Sequence, residues 1–189
     1  VKLLKNMKPD KLEDLDKMLF VSASDKYGDR YIEHLLEQYK IYISSAEKIS
    51  DRRQKANEFF LGLNTGLVAL LGFVATRTAQ SDISGLIALA SIAGTTMCYL
   101  WYRIIRSYKG LNRGKYNVIH MIEARLPLAL YDTEWEMLGR GENRSKYWPF
   151  THIELWVPWI FIVIYAVLIV SVVPWEGISW LSHVCGIRQ

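Results

Sequence analysis

A chain of 189 residues has room for one domain, or for a membrane part joined to a small water-exposed part. Its 51% hydrophobic content and seven Trp make it apolar, yet 22% charged residues exclude a chain sunk wholly in lipid. A net charge of +4 is compatible with anchoring at anionic headgroups and with binding a phosphorylated ligand. The charges are segregated, nearly all of them in residues 1–58 and 103–153.

The first predicted element follows Pro9, a residue suited to the first turn of a helix, with Asp10, Glu13 and Asp14 near the positive end of its dipole. Leu12, Leu15, Met18 and Leu19 give it a modest apolar face, to lie on the protein or on a membrane surface. Residues 21–28 read as a loop. From Asp29 neither Gly nor Pro interrupts until Gly62. Ile32, Leu35, Tyr39, Tyr42, Ala46, Ile49, Arg53, Ala56, Phe60 and Leu63 then recur at alternating three- and four-residue steps, a heptad seam. One helix to about Thr76 is expected, roughly 70 Å long at the helical rise. Arg53 is the one charge on the seam, so packing there is wet, paired or open.

Residues 59–75 carry no charged side chain, and neither do residues 83–102. Each run matches the thickness of a hydrocarbon core, and a chain this short cannot surround two such helices with protein. They read as a transmembrane hairpin joined by the polar break 76–82, with Ser81 or Asp82 capping the second helix. That helix continues past Tyr102 on a stripe of Ile104, Tyr108, Leu111, Lys115, Val118 and Ile122 until Pro127 stops it. Gly110 and Gly114 each weaken it by about 1 kcal/mol relative to Ala and allow a kink. A short helix around residues 132–138 and a polar turn over 139–146 lead back to the bilayer.

A third apolar run, residues 155–175, is long enough to span, with an interfacial or re-entrant helix as the alternative. Trp148, Trp156 and Trp159 at one end and Trp175 and Trp180 at the other resemble aromatic belts, Pro158 fits near the helix start, and Pro174 marks its end. Lys and Arg number 12 in residues 1–58 and nine in 103–153, against one each in 76–82 and 175–189. By the positive-inside rule the N-terminus and the middle segment are cytoplasmic. The first apolar run starts too deep for a cleavable signal peptide. The expected fold is therefore an all-α membrane protein with three transmembrane helices, the first two extended into a cytoplasmic stalk. Its parts are 1–58 (cytoplasmic N-terminal helices and stalk), 59–106 (transmembrane hairpin), 107–153 (cytoplasmic helical segment and loop) and 154–189 (third span and outer tail).

No catalytic, phosphate-cradling or metal-ligand spacing emerges from four scattered His and two separated Cys, so neither an enzyme nor a cofactor is expected. The spans lack the ionisable residues of a proton-coupled transporter. If the chain conducts, it does so as an oligomer with Asn57, Asn64 and Thr65 facing a shared axis; alternatively these groups hydrogen-bond between helices. Gly62 with Gly66, and Ala90 with Gly94, are small-residue pairs at the spacing of close helix packing. Arg103, Arg106, Lys109, Arg113, Lys115 and Arg125 follow the second span, with only Glu123 among acids. They anchor at lipid headgroups or, with Arg53, Arg140, Arg144 and Lys146, bind a phosphorylated ligand.

The strings RRQKANEFFLGLNTGLVALLG, LWYRIIRSYKGLNRGKYNVIHMIEARLP and YDTEWEMLGRG with YWPFTHIELWVPWIF resemble the RipA-like family of small bacterial inner-membrane proteins, over roughly residues 30 to 165. The resemblance implies a homo-oligomer, an octamer in the namesake case; a tetramer is the alternative. It also implies two spans with both termini cytoplasmic, one span fewer than the hydropathy pattern gives. Similar small membrane proteins encoded beside nucleotidyltransferases act as ion-channel effectors of anti-phage defence, opened by a nucleotide or oligonucleotide signal. The expected function is accordingly a homo-oligomeric inner-membrane pore gated from its stalk. Asn57, Asn64 and Thr65 border its path, and Arg53, Arg103, Arg106 and Arg113 couple ligand to helix position. The alternative is a non-conducting oligomeric scaffold.

Overall fold

The computed structural model describes residues 8–22, 24–77, 80–139 and 150–172. Every element among them is a helix: α1 (Pro9–Leu19), α2 (Ser24–Tyr27), α3 (Tyr31–Arg77), α4 (Gln80–Glu123), α5 (Leu130–Met137) and α6 (Phe150–Val172). The fold is all-α, and α3, α4 and α6 are each long and apolar enough to cross a membrane. The side chains of Ser81 and Asp82, the turn at 140–146 and the residues after 172, with Pro174, Trp175 and Trp180, lie outside the described residues. The chain divides into a charged unit, residues 1–55 and 105–153, and an apolar unit, residues 56–104 and 154–189.

In the charged unit Tyr39 and Ala46 of α3 and Ile119 and Ile122 of α4 form the buried core, joined by Leu35, Tyr42, Ile43, Val118, Leu126 and Tyr131. Helix α1 starts at Pro9, where the missing N–H leaves no donor to satisfy. Its apolar side lies on the protein: Leu19 and the following Phe20 pack on this core. Met18, expected on that side, is exposed. Arg125 fixes the contact, its guanidinium 2.6 Å from the Asp16 carboxylate and stacked over the Phe20 ring. Gly28, with φ near 98°, makes the turn into α3 that a side chain would strain. Helix α4 ends at Glu123 and unwinds through Ala124, Arg125 and Leu126 ahead of Pro127. It remains α-helical through Gly110 and Gly114.

In the apolar unit Leu71, Ile83, Ile87, Cys98 and Tyr165 are buried together, with Leu67, Val68, Val74, Ala90, Phe161, Ile162, Leu168 and Val172 around them. Helix α4 is the most enclosed: 28% of its most apolar stretch is buried, against 11% for α3 and for α6. The outward sides carry Phe59, Leu70 and Phe73, then Leu86, Leu89 and Ile92, then Trp156, Ile160, Val163 and Val167. Exposed surface of that kind suits lipid or another subunit and would be unfavourable in water. Pro158 is not at a helix start. It is buried inside α6, which begins at Phe150 because the polar residues before the apolar run are helical too. Membrane helices tolerate an interior Pro.

The buried line of α3 also departs from the heptad. It passes through Tyr39, Ala46, Asn64 and Leu71, while Leu63 is 37% exposed. An α-helix drifts about 20° per heptad against a strict 3.5-residue repeat. Over the seven steps from Tyr39 the drift moves the inward position from Leu63 to Asn64.

Candidate functional site

The polar groups of the apolar unit converge on Asn64. Its side chain is wholly buried. Its Oδ1 accepts hydrogen bonds from the Tyr165 hydroxyl of α6 at 2.9 Å and the Cys98 thiol of α4 at 3.2 Å. Its Nδ2 donates to the Phe60 carbonyl one turn earlier at 2.8 Å. One amide thus ties three helices where no water competes. Asn57 does similar work two turns earlier, its Oδ1 accepting from the Trp101 indole N–H at 2.9 Å. Trp101 is itself buried, stacked on Phe60 and tilted against Phe161. The hydroxyls of Thr95 and Thr96 donate to carbonyls four residues back, which satisfies them within their own helix.

The two small-residue pairs have different surroundings. A Cβ on Gly94 would come within 2.6 Å of Tyr165 Cε2, so the absence of a side chain there is what lets α6 seat against α4. Gly62 and Gly66 have nothing within 4 Å of where a Cβ would be. With exposed Thr65 beside them they form an open, small-residue stretch on α3. Ala90 is half-buried at the edge of the Leu71–Tyr165 core.

Among the basic residues, Arg106 and Arg113 of the charged unit and Arg103 of the apolar unit are exposed. Lys115 is engaged: Nζ donates to Ser45 Oγ at 2.8 Å and sits 4.3 Å from the centre of the Tyr42 ring, joining α4 to α3. Asn112 Nδ2 donates to Ser50 Oγ at 3.1 Å beside it. Arg53 is half-buried and makes its own interaction. Arg140 and Arg144 lie outside the described residues.

A second polar centre in the charged unit is built on Glu123, whose side chain is 1% exposed. Its Oε1 accepts from the Tyr39 hydroxyl at 2.8 Å and the Tyr131 N–H at 3.0 Å, and its Oε2 accepts from the Asp132 N–H at 3.2 Å. Those N–H groups belong to the first turn of α5, whose own N-cap residue, Ala129, has no side chain able to cap it. The last residue of α4 therefore caps α5. Burial, then the adjacent Glu123 carboxylate, pushes the Tyr39 hydroxyl far above its ordinary value and keeps it a donor. Among the described residues no group of three or more His, Cys, Asp or Glu is arranged to hold a metal. A cavity of about 220 Å³ opens nearby between Phe20, Tyr27, Tyr31, His34, Gln38 and Tyr39.

Reading by pattern missed Glu123 and Tyr165. The available signals were slight: a single acid among six bases, and a single hydroxyl-bearing ring in a run of aliphatic residues.

A model of the octameric membrane protein family (8xMP) matches residues 36–174, and the chain belongs to that family. No curated protein and no solved structure matches it. The family is described as a membrane assembly and not as an enzyme. With three helices able to span, the chain is a homo-oligomeric membrane protein.

Proposed function

We propose that this chain is one subunit of a homo-oligomeric pore in a bacterial inner membrane, with its charged unit in the cytoplasm and its opening controlled by an anionic signal bound there. The observation that carries the reading is the open stretch of α3 at Gly62, Thr65 and Gly66, on a candidate span of a chain whose family is octameric. Small residues let neighbouring subunits approach closely, and Thr65 supplies a hydroxyl to a shared path. Asn57 and Asn64 hold the helix that presents it. The excess of Lys and Arg in residues 1–58 and 103–153 favours a cytoplasmic N-terminus. Arg106 and Arg113, together with Arg53, Arg140 and Arg144, suit an anionic ligand such as a nucleotide, and α3 and α4 run through both units. The resemblance to RipA-like proteins and to defence effectors supports an anti-phage role, with the signal made by a cytosolic nucleotidyltransferase.

Single-channel recording of the purified oligomer in planar bilayers, with and without cyclic and linear oligonucleotides, tests this. Discrete ligand-dependent currents that change in unitary size in Thr65→Val are expected. Silence from an intact oligomer under every ligand would overturn the pore. The scaffold reading would then stand, and one observation favours it: the amide oxygens of Asn57 and Asn64 accept hydrogen bonds from other helices of the same subunit.

A further inference from the structure

The charge-free stretch of α4 closes at Tyr102, followed by Arg103, and the apolar run of α6 opens at Leu155. Both ends belong to the apolar unit. Between them lies a groove of about 260 Å³, lined by Tyr102, Leu155, Trp156 and Trp159. Where Gly94 admits Tyr165 the two helices seat closely. At Tyr102 and Trp159 two large rings stand between them instead, edge to face with centroids 5.9 Å apart, and the groove opens beside those rings. Trp156 is 69% exposed and Trp159 50%. Among the described residues the apolar unit holds two cations: Arg77, over the Phe73 ring at the end of α3, and Arg103, which is exposed. Glu154, beside Leu155 in sequence, is half-buried and makes its own interaction.

We propose that this groove is a site for one phospholipid per subunit, with an acyl chain along the three rings and the phosphate on Arg103. The occupant follows from depth. A groove at the last charge-free turn of a span lies where hydrocarbon gives way to headgroups. At that level Trp and Tyr turn apolar ring surface to the chains and an N–H or O–H to the headgroups. A guanidinium can give a phosphate two parallel hydrogen bonds, so Arg103 favours a phosphate-bearing lipid over a neutral one. Fluid lipid touches every outward side chain of the unit, but only here does one chain meet rings from two helices. A neighbouring subunit has a better surface elsewhere, since the open small-residue stretch is on α3. The site does not depend on whether the assembly conducts.

Native mass spectrometry of the delipidated full-length oligomer tests it. The probes are dioleoyl phosphatidylglycerol and dioleoylglycerol, which has the same chains and no phosphate. Saturable binding of up to one phosphatidylglycerol per subunit is expected, with dioleoylglycerol several-fold weaker. Trp156→Ala should weaken both lipids several-fold. Arg103→Gln should weaken phosphatidylglycerol alone and so narrow the gap. Both side chains are exposed, so neither change threatens the fold. Phe73→Ala, which removes an exposed ring that lines no part of the groove, should change neither lipid. Unsaturable uptake, unchanged affinity in Trp156→Ala and Arg103→Gln, or an equal loss in Phe73→Ala would overturn the site. An intact oligomer that takes up no lipid would overturn it too, and would leave the groove to a neighbouring subunit.

Discussion

Asn64→Leu is the substitution that bears most directly on how the apolar unit is held together. Leu shares the branched outline of Asn, though it is bulkier, and it removes the acceptor shared by Tyr165 and Cys98 and the donor to the Phe60 carbonyl. The Phe60 carbonyl is a helical acceptor and loses little. The Tyr165 hydroxyl, on a wholly buried residue, is left without a partner, at a cost of about 1–3 kcal/mol. Interhelical hydrogen bonds in membranes average about 0.6 and reach about 1.7 kcal/mol. The substitution should therefore destabilise the helical unit by about 2–4 kcal/mol. Tyr165→Phe removes the same bond from the other side. The double variant should fall short of the summed single effects by about 0.6–1.7 kcal/mol.

Unfolding in mixed micelles titrated with an anionic detergent, followed by loss of helical circular dichroism, measures all three. Effects that add to within about 0.5 kcal/mol would refute the coupling. The same variant separates two roles for Asn64. An Asn64→Leu oligomer as stable as the wild type but electrically silent would put the side chain on a conducting path. A destabilised oligomer whose surviving channels conduct normally would leave it a packing group.

Gly94→Ala should destabilise the protomer, because crowding against Tyr165 at about 1–3 kcal/mol outweighs about 1 kcal/mol of helix propensity; thermal melting of the protomer in detergent reads the difference. Gly62→Ala places its Cβ where nothing in the subunit lies within 4 Å, so it should leave protomer melting unchanged or slightly raised by helix propensity while lowering the octameric fraction in native mass spectra. Glu123→Ala should uncap α5 and strand the Tyr39 hydroxyl, costing the charged unit about 2–4 kcal/mol, seen as faster proteolysis around residue 130. Arg125→Gln, which breaks a half-exposed pair with Asp16, should cost under about 1 kcal/mol and leave α5 protection unchanged.

The spans were legible because charge is the one thing a hydrocarbon core excludes, and the charge-free stretches 59–75, 83–102 and 155–172 all lie in helices that are long enough. Helix α1 was legible from Pro9 and the acids that follow it, and α5 from the residues around Asp132. Which side of each long helix faces inward was harder. A drift of about 20° per heptad is invisible over two turns and decisive over seven. It separates an exposed Leu63 from a buried Asn64. Beyond a single acid among six bases the Glu123 centre left no signal, because its partners, Tyr39 and the first turn of α5, lie 84 and 8 residues away and are selected only by folding.

Asn64 and Glu123 solve one problem in two surroundings. Each is a single side chain on one long helix that accepts hydrogen bonds from two others, so each fixes rotation as well as distance between helices. Along the span the group is a neutral amide, since an uncompensated carboxylate at that depth would cost about 2.5–3.5 kcal/mol on insertion scales. In the charged unit the group is a carboxylate, and its donors include the first-turn N–H groups of α5, where the helix dipole favours negative charge. Exchanging the two would fail in both places: an amide at 123 would turn a donor toward one of the three groups that now donate to it, and a carboxylate at 64 would find only a hydroxyl and a thiol as donors and would set an oxygen against the Phe60 carbonyl. The two helices carry opposite chemistry at their fixing points because they belong to both units, and each point is matched to the dielectric around it.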